Sequence, residues 1–101
     1  MSELELQRGS DGEYVLRVRG EIDMANAPLL RELLDEAVDG GASRIVVDCH
    51  ELEFLDSSGI GVLVAARKRL ADDGELVLDS PPAHVRKVLD ITGVAGHVTV
   101  V

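Results

Sequence analysis

Hydrophobic and polar positions along the chain switch between two periods. In Glu13–Arg19, Tyr14, Leu16 and Val18 fall on one face and Val15, Arg17 and Arg19 on the other. That alternation predicts a strand with one side more buried than the other. The shorter run Leu4–Leu6 precedes it, and Ser10-Asp11-Gly12 between them is a turn signal, so the two runs predict a hairpin. The period then changes. Leu29, Leu30, Leu33, Leu34, Ala37 and Val38 recur at helical spacing, with Arg31, Glu32, Asp35, Glu36 and Asp39 on the other face. Asn26 is the expected N-cap of this helix, Pro28 suits its first turn, and Gly40-Gly41 closes it.

Arg44-Ile45-Val46-Val47-Asp48-Cys49 is a short β-branched run between turn signals. It predicts a central strand covered on both faces or at both ends. A second helix is expected from Gly59 to about Asp72, apolar nearly all round in its first half, and Asp72-Asp73-Gly74 ends it. Glu75–Asp79 reads as a strand. Ser80-Pro81-Pro82 starts a short helix with Val85, Val88, Leu89 and Ile91 as its apolar side and Gly93 as its cap, and His97–Val101 is a final strand. The order is β-β-α-β-α-β-α-β, which predicts one α/β domain over residues 1–101. Its mixed sheet should have four to five strands, with about three to four helices.

Composition narrows the function. Aromatics are 2% of the 101 residues, Tyr14 and Phe54 alone, so the core is aliphatic and stacking of single-stranded nucleic acid is disfavoured. A net charge of −9 disfavours duplex DNA and anionic membranes as partners. Arg67, Lys68 and Arg69 form the one tight basic cluster and read as a solvated helix end suited to the macrodipole. Cys49 is the only cysteine and ends an apolar run, so a buried structural thiol in a reducing compartment is expected. The first residues lack the basic and apolar segments of a signal peptide, and no run approaches the ~20 apolar residues of a membrane span. A cytoplasmic, monomeric protein is expected.

Phe54-Leu55-Asp56-Ser57-Ser58-Gly59-Ile60-Gly61 carries the remaining signal. One reading is a plain helix cap, in which Asp or Ser supplies an oxygen to free backbone N–H groups and the glycines permit tight packing. Catalytic readings fare worse. Asp56 stands where the first glycine of a nucleophile elbow would be for Ser58. Val64 replaces the third glycine of a dinucleotide fingerprint. His50, His84, His97 and Cys49 show no zinc-ligand spacing, and no metal or other cofactor is expected. A phosphoryl switch uses every feature. A serine at a helix N-terminus tolerates a phosphate in its own domain, while the added charge of about −1.5 to −2 would repel a partner packed on the same surface.

The motifs Val18-Arg19-Gly20-Glu21-Ile22-Asp23, Ile45-Val46-Val47-Asp48, the Asp56-Ser57-Ser58-Gly59-Ile60-Gly61 segment and Val88-Leu89-Asp90-Ile91-Thr92-Gly93-Val94 come in order along the whole chain. Together they resemble the STAS domain, and within it the stand-alone bacterial anti-sigma factor antagonists. The resemblance implies partner switching. The unmodified antagonist binds an anti-sigma factor that is also a serine kinase with bound ATP, which frees the sigma factor. Phosphorylation ends that binding, a serine phosphatase resets it, and the antagonist catalyses nothing. Carried over by position, Ser57 would be the phospho-acceptor and Asp56 would orient its hydroxyl or contact the partner. Ser58 would cap the helix, and Gly59 and Gly61 would let partner and strand approach. Ile60 and Asp23 complete the expected partner-binding set. Glu21 and Asp23 are expected in the loop before the first helix, on the same edge as Ser57. Two other readings remain open: a STAS module in a signalling scaffold or transport-associated complex, and a small enzyme or nucleotide-binding protein using the serine turn.

Overall fold

A computed structural model describes residues 2–101. Strands β1 (Glu3–Arg8) and β2 (Glu13–Ile22) form the expected hairpin, antiparallel from Glu3↔Arg19 to Arg8↔Tyr14. Asp11 and Gly12 both take positive φ, 56° and 80°, and the Glu13 N–H donates to the Ser10 carbonyl. This is a type I′ turn, whose twist matches that of the strands it joins.

The remaining elements follow in the expected order: α1 (Ala27–Asp39), β3 (Arg44–Leu55), α2 (Ser57–Arg69), β4 (Glu75–Asp79), α3 (Ala83–Thr92) and β5 (Thr99–Val100), with a short 3₁₀ turn at Val94–Gly96. The sheet order is β1-β2-β3-β4-β5, with every pair after the hairpin parallel. The sheet therefore grows in one direction. Right-handed crossovers in a sheet that grows one way put every connecting helix on the same face. Leu30, Leu34 and Ala37 of α1, Ile60, Leu63 and Ala66 of α2, and Val85 and Leu89 of α3 share a single core with Leu16, Ile22, Ile45, Val47, Leu76 and Leu78 of the sheet.

One sequence expectation is corrected here. Strand β3 is covered on one face only: Ile45, Val47 and Cys49 are buried, whereas Val46 and Asp48 are half-buried and His50 is exposed. The sheet's other face is kept soluble by charged residues. Arg19 Nε lies 2.7 Å from Glu51, and Arg44 bridges Glu13 at 2.8 Å and Glu75 at 2.9 Å. The final strand is also shorter than the predicted His97–Val101, since only Thr99 and Val100 pair with β4. The basic cluster at the end of α2 does more than meet solvent. Arg69 pairs with Asp35 and, at 2.7 Å, with Asp39, fastening α2 to α1.

Strand β3 is twice the predicted length because it carries two irregularities. Pairing advances from Arg17↔Asp48 to Arg19↔Glu51, and from Gly20↔Leu52 to Glu21↔Phe54, so β3 gains one residue on β2 at each step. Each extra residue re-aims the side chains that follow it. Leu52 and Leu55 return to the core, and His50, Glu51, Glu53 and Phe54 are left outside. The last rung, Ile22↔Leu55, delivers the chain to Asp56.

Leu34, 1% exposed at the centre of the α1–sheet interface, tests the core. Leu34→Ala should lower the unfolding free energy by about 2–5 kcal/mol, read as a fall in urea midpoint with the slope unchanged.

Candidate functional site

The end of β2 and the end of β3 lie side by side. The Asp56 N–H donates to the Ile22 carbonyl at 3.1 Å, so Asp23 and Asp56 leave the sheet together. Asp23 thus lies beside the turn that bears Ser57, whereas Glu21, expected in the same loop, is still within β2 and pairs with Phe54. Asp23 Oδ1 accepts from the Ala25 N–H at 2.9 Å, folding the loop back towards α1. Asn26 is the N-cap residue of α1, as expected, but its side chain makes no capping hydrogen bond to the helix. Its Oδ1 accepts from the Asp23 N–H at 2.9 Å, and its Nδ2 donates to the Glu21 carbonyl at 2.7 Å and to Ser2 Oγ at 2.8 Å. The residue braces the loop instead, because the amide's donor and acceptor reach backbone on both sides of Ile22 and Asp23.

At the head of α2 the cap that the resemblance implies for Ser58 falls to Asp56. Asp56 is the N-cap, in extended conformation, and its Oδ1 accepts from the Ser58 N–H at 2.8 Å and the Gly59 N–H at 3.3 Å. Ser58 is therefore a residue being capped, not the cap. Asp56 wins because it sits one position before the first helical residue, where a short carboxylate reaches the second and third amides. Among the described residues no hydrogen bond joins Asp56 to the Ser57 hydroxyl. Ser57 occupies the first helical position and is exposed.

The other expected partner-facing residues separate. Gly59 and Ile60 are buried within the domain. A Cβ on Gly59 would collide with Leu55 Cδ1 and lie 2.8 Å from Ile22 Cγ2. Its glycine is required by this chain's own packing. Gly61 is exposed, has nothing within 4 Å of a built Cβ, and has no positive φ. Nothing within the domain requires glycine there, although glycine in a helix interior costs roughly 0.8–1 kcal/mol relative to alanine. It lies four residues after Ser57, on the same helix face.

Three groups midway along β3 have displaced pKa values. His50 lies with Nδ1 2.6 Å from Asp48 Oδ1 and Nε2 3.3 Å from Glu51 Oε1. Its hydrogen bond to Asp48, then the charge of that carboxylate, raises its pKa above 6.5. Partial burial works to raise the Asp48 pKa, but the hydrogen bonds from His50 prevail and lower it. Burial pushes the Cys49 thiol up to about 12, which makes it an inert core group. Sequence reasoning missed Phe54 and Met24, which are 48% and 79% exposed beside this turn. Their signal was available, since Phe54 breaks the alternation of a one-sided strand.

Residues 6–101 match the STAS domain family model. The chain belongs to the STAS domain family. It is 34% identical over 86 residues to an anti-sigma F factor antagonist of Paenibacillus polymyxa, covering 81% of this chain and 72% of that protein. Among solved structures it resembles an anti-sigma factor antagonist from Mycobacterium paratuberculosis (TM-score 0.89, 26% identity, 99% of this chain and 85% of the other). It also resembles the Bacillus antagonist SpoIIAA in two forms. The unphosphorylated form gives a TM-score of 0.80 at 25% identity, covering 98% of this chain and 87% of the other. The phosphorylated form gives 0.78 at 26%, covering 98% and 91%. The STAS chain described here thus falls among the anti-sigma factor antagonists, a regulatory family. No helix of its described residues is long and apolar enough to cross a membrane.

The two glycines give opposite predictions. Gly59→Ala should destabilise by about 1–3 kcal/mol through overpacking against Leu55 and Ile22. Gly61→Ala should raise stability by about 0.5–1 kcal/mol, both read from chemical denaturation. For His50, the folded pKa lies above the unfolded one, so its stabilising contribution is full below about pH 6.5 and fades as pH rises through the folded value. NMR titration should place His50 above its ordinary pKa, and Asp48→Asn should bring it back down.

Proposed function

We propose that this STAS chain is a phosphorylation-controlled anti-sigma factor antagonist. Unmodified, it binds an anti-sigma factor that is also a serine kinase and so frees a sigma factor. Phosphorylation of Ser57 switches that binding off, and a serine phosphatase restores it. The chain itself is a non-catalytic, monomeric, cytoplasmic binding module, and nucleic acid and membranes are not its direct partners.

The observation that carries this reading is the position of Ser57 relative to Asp56. Ser57 is exposed at the first turn of α2, and the Asp56 carboxylate already accepts from the next two amides. A phosphate on Ser57 would find those donors taken. It would stand outward, next to Asp56 and Asp23, and add charge where a partner must approach. The fold would not need to change, because the cap that starts α2 does not involve the Ser57 side chain. The likeness to SpoIIAA in both its unphosphorylated and phosphorylated forms supports this, since that relative keeps one fold through both states. Gly61, glycine without an internal reason, fits a helix face that a partner backbone approaches closely.

The test has two arms. The purified chain is incubated with ATP and a lysate of its source bacterium, and the peptide containing Asp56-Ser57-Ser58 is read by mass spectrometry. Phosphate is expected on Ser57 and should vanish in Ser57→Ala. In the second arm, Ser57→Asp should melt within about 2 °C of wild type, a shift of well under 1 kcal/mol, yet bind the cognate anti-sigma factor at least about tenfold more weakly. A clean peptide in a lysate that modifies a control antagonist, or a mimic that binds as tightly as wild type, would overturn the proposal.

A further inference from the structure

Acids without an ion-pair partner occur over much of the described surface, Glu5, Asp11, Glu32 and Asp90 among them, and some of them gather around the serine turn. Glu3, Glu13, Asp35, Asp39, Asp48, Glu51 and Glu75 all lie in ion pairs with Arg or His. On the serine edge, Glu21, Asp23, Glu53 and Asp56 have no ion-pair partner among the described residues. Two large apolar side chains stand within this unpaired acidic rim. Phe54 is the chain's only phenylalanine and lies beside Glu21 in the parallel register, with Glu53 before it and Asp56 two residues after. Met24 follows Asp23 in the loop that Asn26 braces and that leaves the sheet next to Asp56. The second irregularity in β3 is what leaves Phe54 outside, since the residues on either side of that step, Leu52 and Leu55, are buried. Aromatic anchors ringed by polar residues are the usual form of an interface centre.

We infer that Phe54 and Met24 are the apolar anchors by which this chain holds its anti-sigma factor, and that the surface receiving them is an apolar recess rimmed by Lys and Arg. The inference rests on the function proposed above and adds to it the chemistry of the partner. The unpaired acids of the rim attract the cations of the partner and set its orientation, while Phe54 and Met24 supply the desolvated centre. Phosphate on Ser57 then acts from the rim. It enlarges the shell of water that must be removed before Phe54 can enter its recess.

The test is isothermal titration of the chain into each purified anti-sigma factor of the source bacterium, with magnesium and ADP. Wild type, Phe54→Ala, Met24→Ala, Ser57→Asp and Ile91→Ala are compared. Ile91 is 74% exposed in the last turn of α3 and controls for loss of any exposed apolar side chain. Phe54→Ala should weaken binding at least about tenfold and Met24→Ala about threefold or more, with Ile91→Ala within about twofold of wild type. Wild-type affinity should fall as salt is raised, as expected of a basic partner surface. If Phe54→Ala and Met24→Ala bind like wild type while Ser57→Asp does not, the anchors are wrong and the switch stands. Salt-independent binding would remove the basic recess. If no anti-sigma factor binds wild type, or Ser57→Asp binds equally well, the function itself falls and the inference with it. If wild type sediments as a dimer that Phe54→Ala dissolves, the occupant is a second copy of this chain and the inference fails.

Discussion

The hydrogen bond from the Asp56 N–H to the Ile22 carbonyl is the rung on which the rest of the site depends. It ends the parallel pairing of β2 with β3 and decides where both chains leave the sheet. Asp56 is thereby fixed in extended conformation, able to cap α2, and Asp23 is fixed beside it. Ile22 and Leu55, the last paired residues, form the floor against which Gly59 packs. One backbone contact thus sets the start of α2, the exposure of Ser57 and the closeness of two acids. The Asn26 side chain secures the same rung from the other strand, by holding backbone on both sides of Ile22 and Asp23.

Much of this was legible in the sequence because local signals agreed with the fold. The Asp11-Gly12 turn, the helical spacing of Leu30, Leu34 and Ala37, and the glycine after α3 each specify their element without help from distant contacts. The unread parts are those set by partners far away in the chain. Nothing local in Asp48–Leu55 reveals that β3 gains two residues on β2, so the expected strand ended at Cys49. One-sided coverage of β3 follows from the order in which strands join the sheet, which the run Ile45–Val47 does not encode. At the serine turn, the residue carried over as the cap, Ser58, is not the cap, which is Asp56. Asp56 and Ser58 can both cap a helix, and only the backbone conformation at Asp56 decides between them. Composition alone also hid the difference between Gly59, which the domain needs, and Gly61, which it does not.

The net charge of −9 is not spread as a uniform coat. Arginines hold together the strand starts at Arg44, the hairpin at Arg19 and the helix pair at Arg69. These exposed pairs contribute little each, so their value lies in satisfying charge locally and not in stability. Around Ser57 the acids Glu21, Asp23, Glu53 and Asp56 have no arginine or histidine answering them among the described residues, and there they surround the exposed Phe54 and Met24.

The hairpin has a consequence for how the protein lives at high concentration. Strand β1 closes the sheet on one side, and its outer backbone groups are free to pair with any passing strand. Glu3 and Glu5, exposed along this border, charge it. A neighbour adding itself in register would bring like charges face to face. The acids at positions 3 and 5 thus act as a guard against fibrous stacking, and replacing both with valine would turn the border into a seam for aggregation.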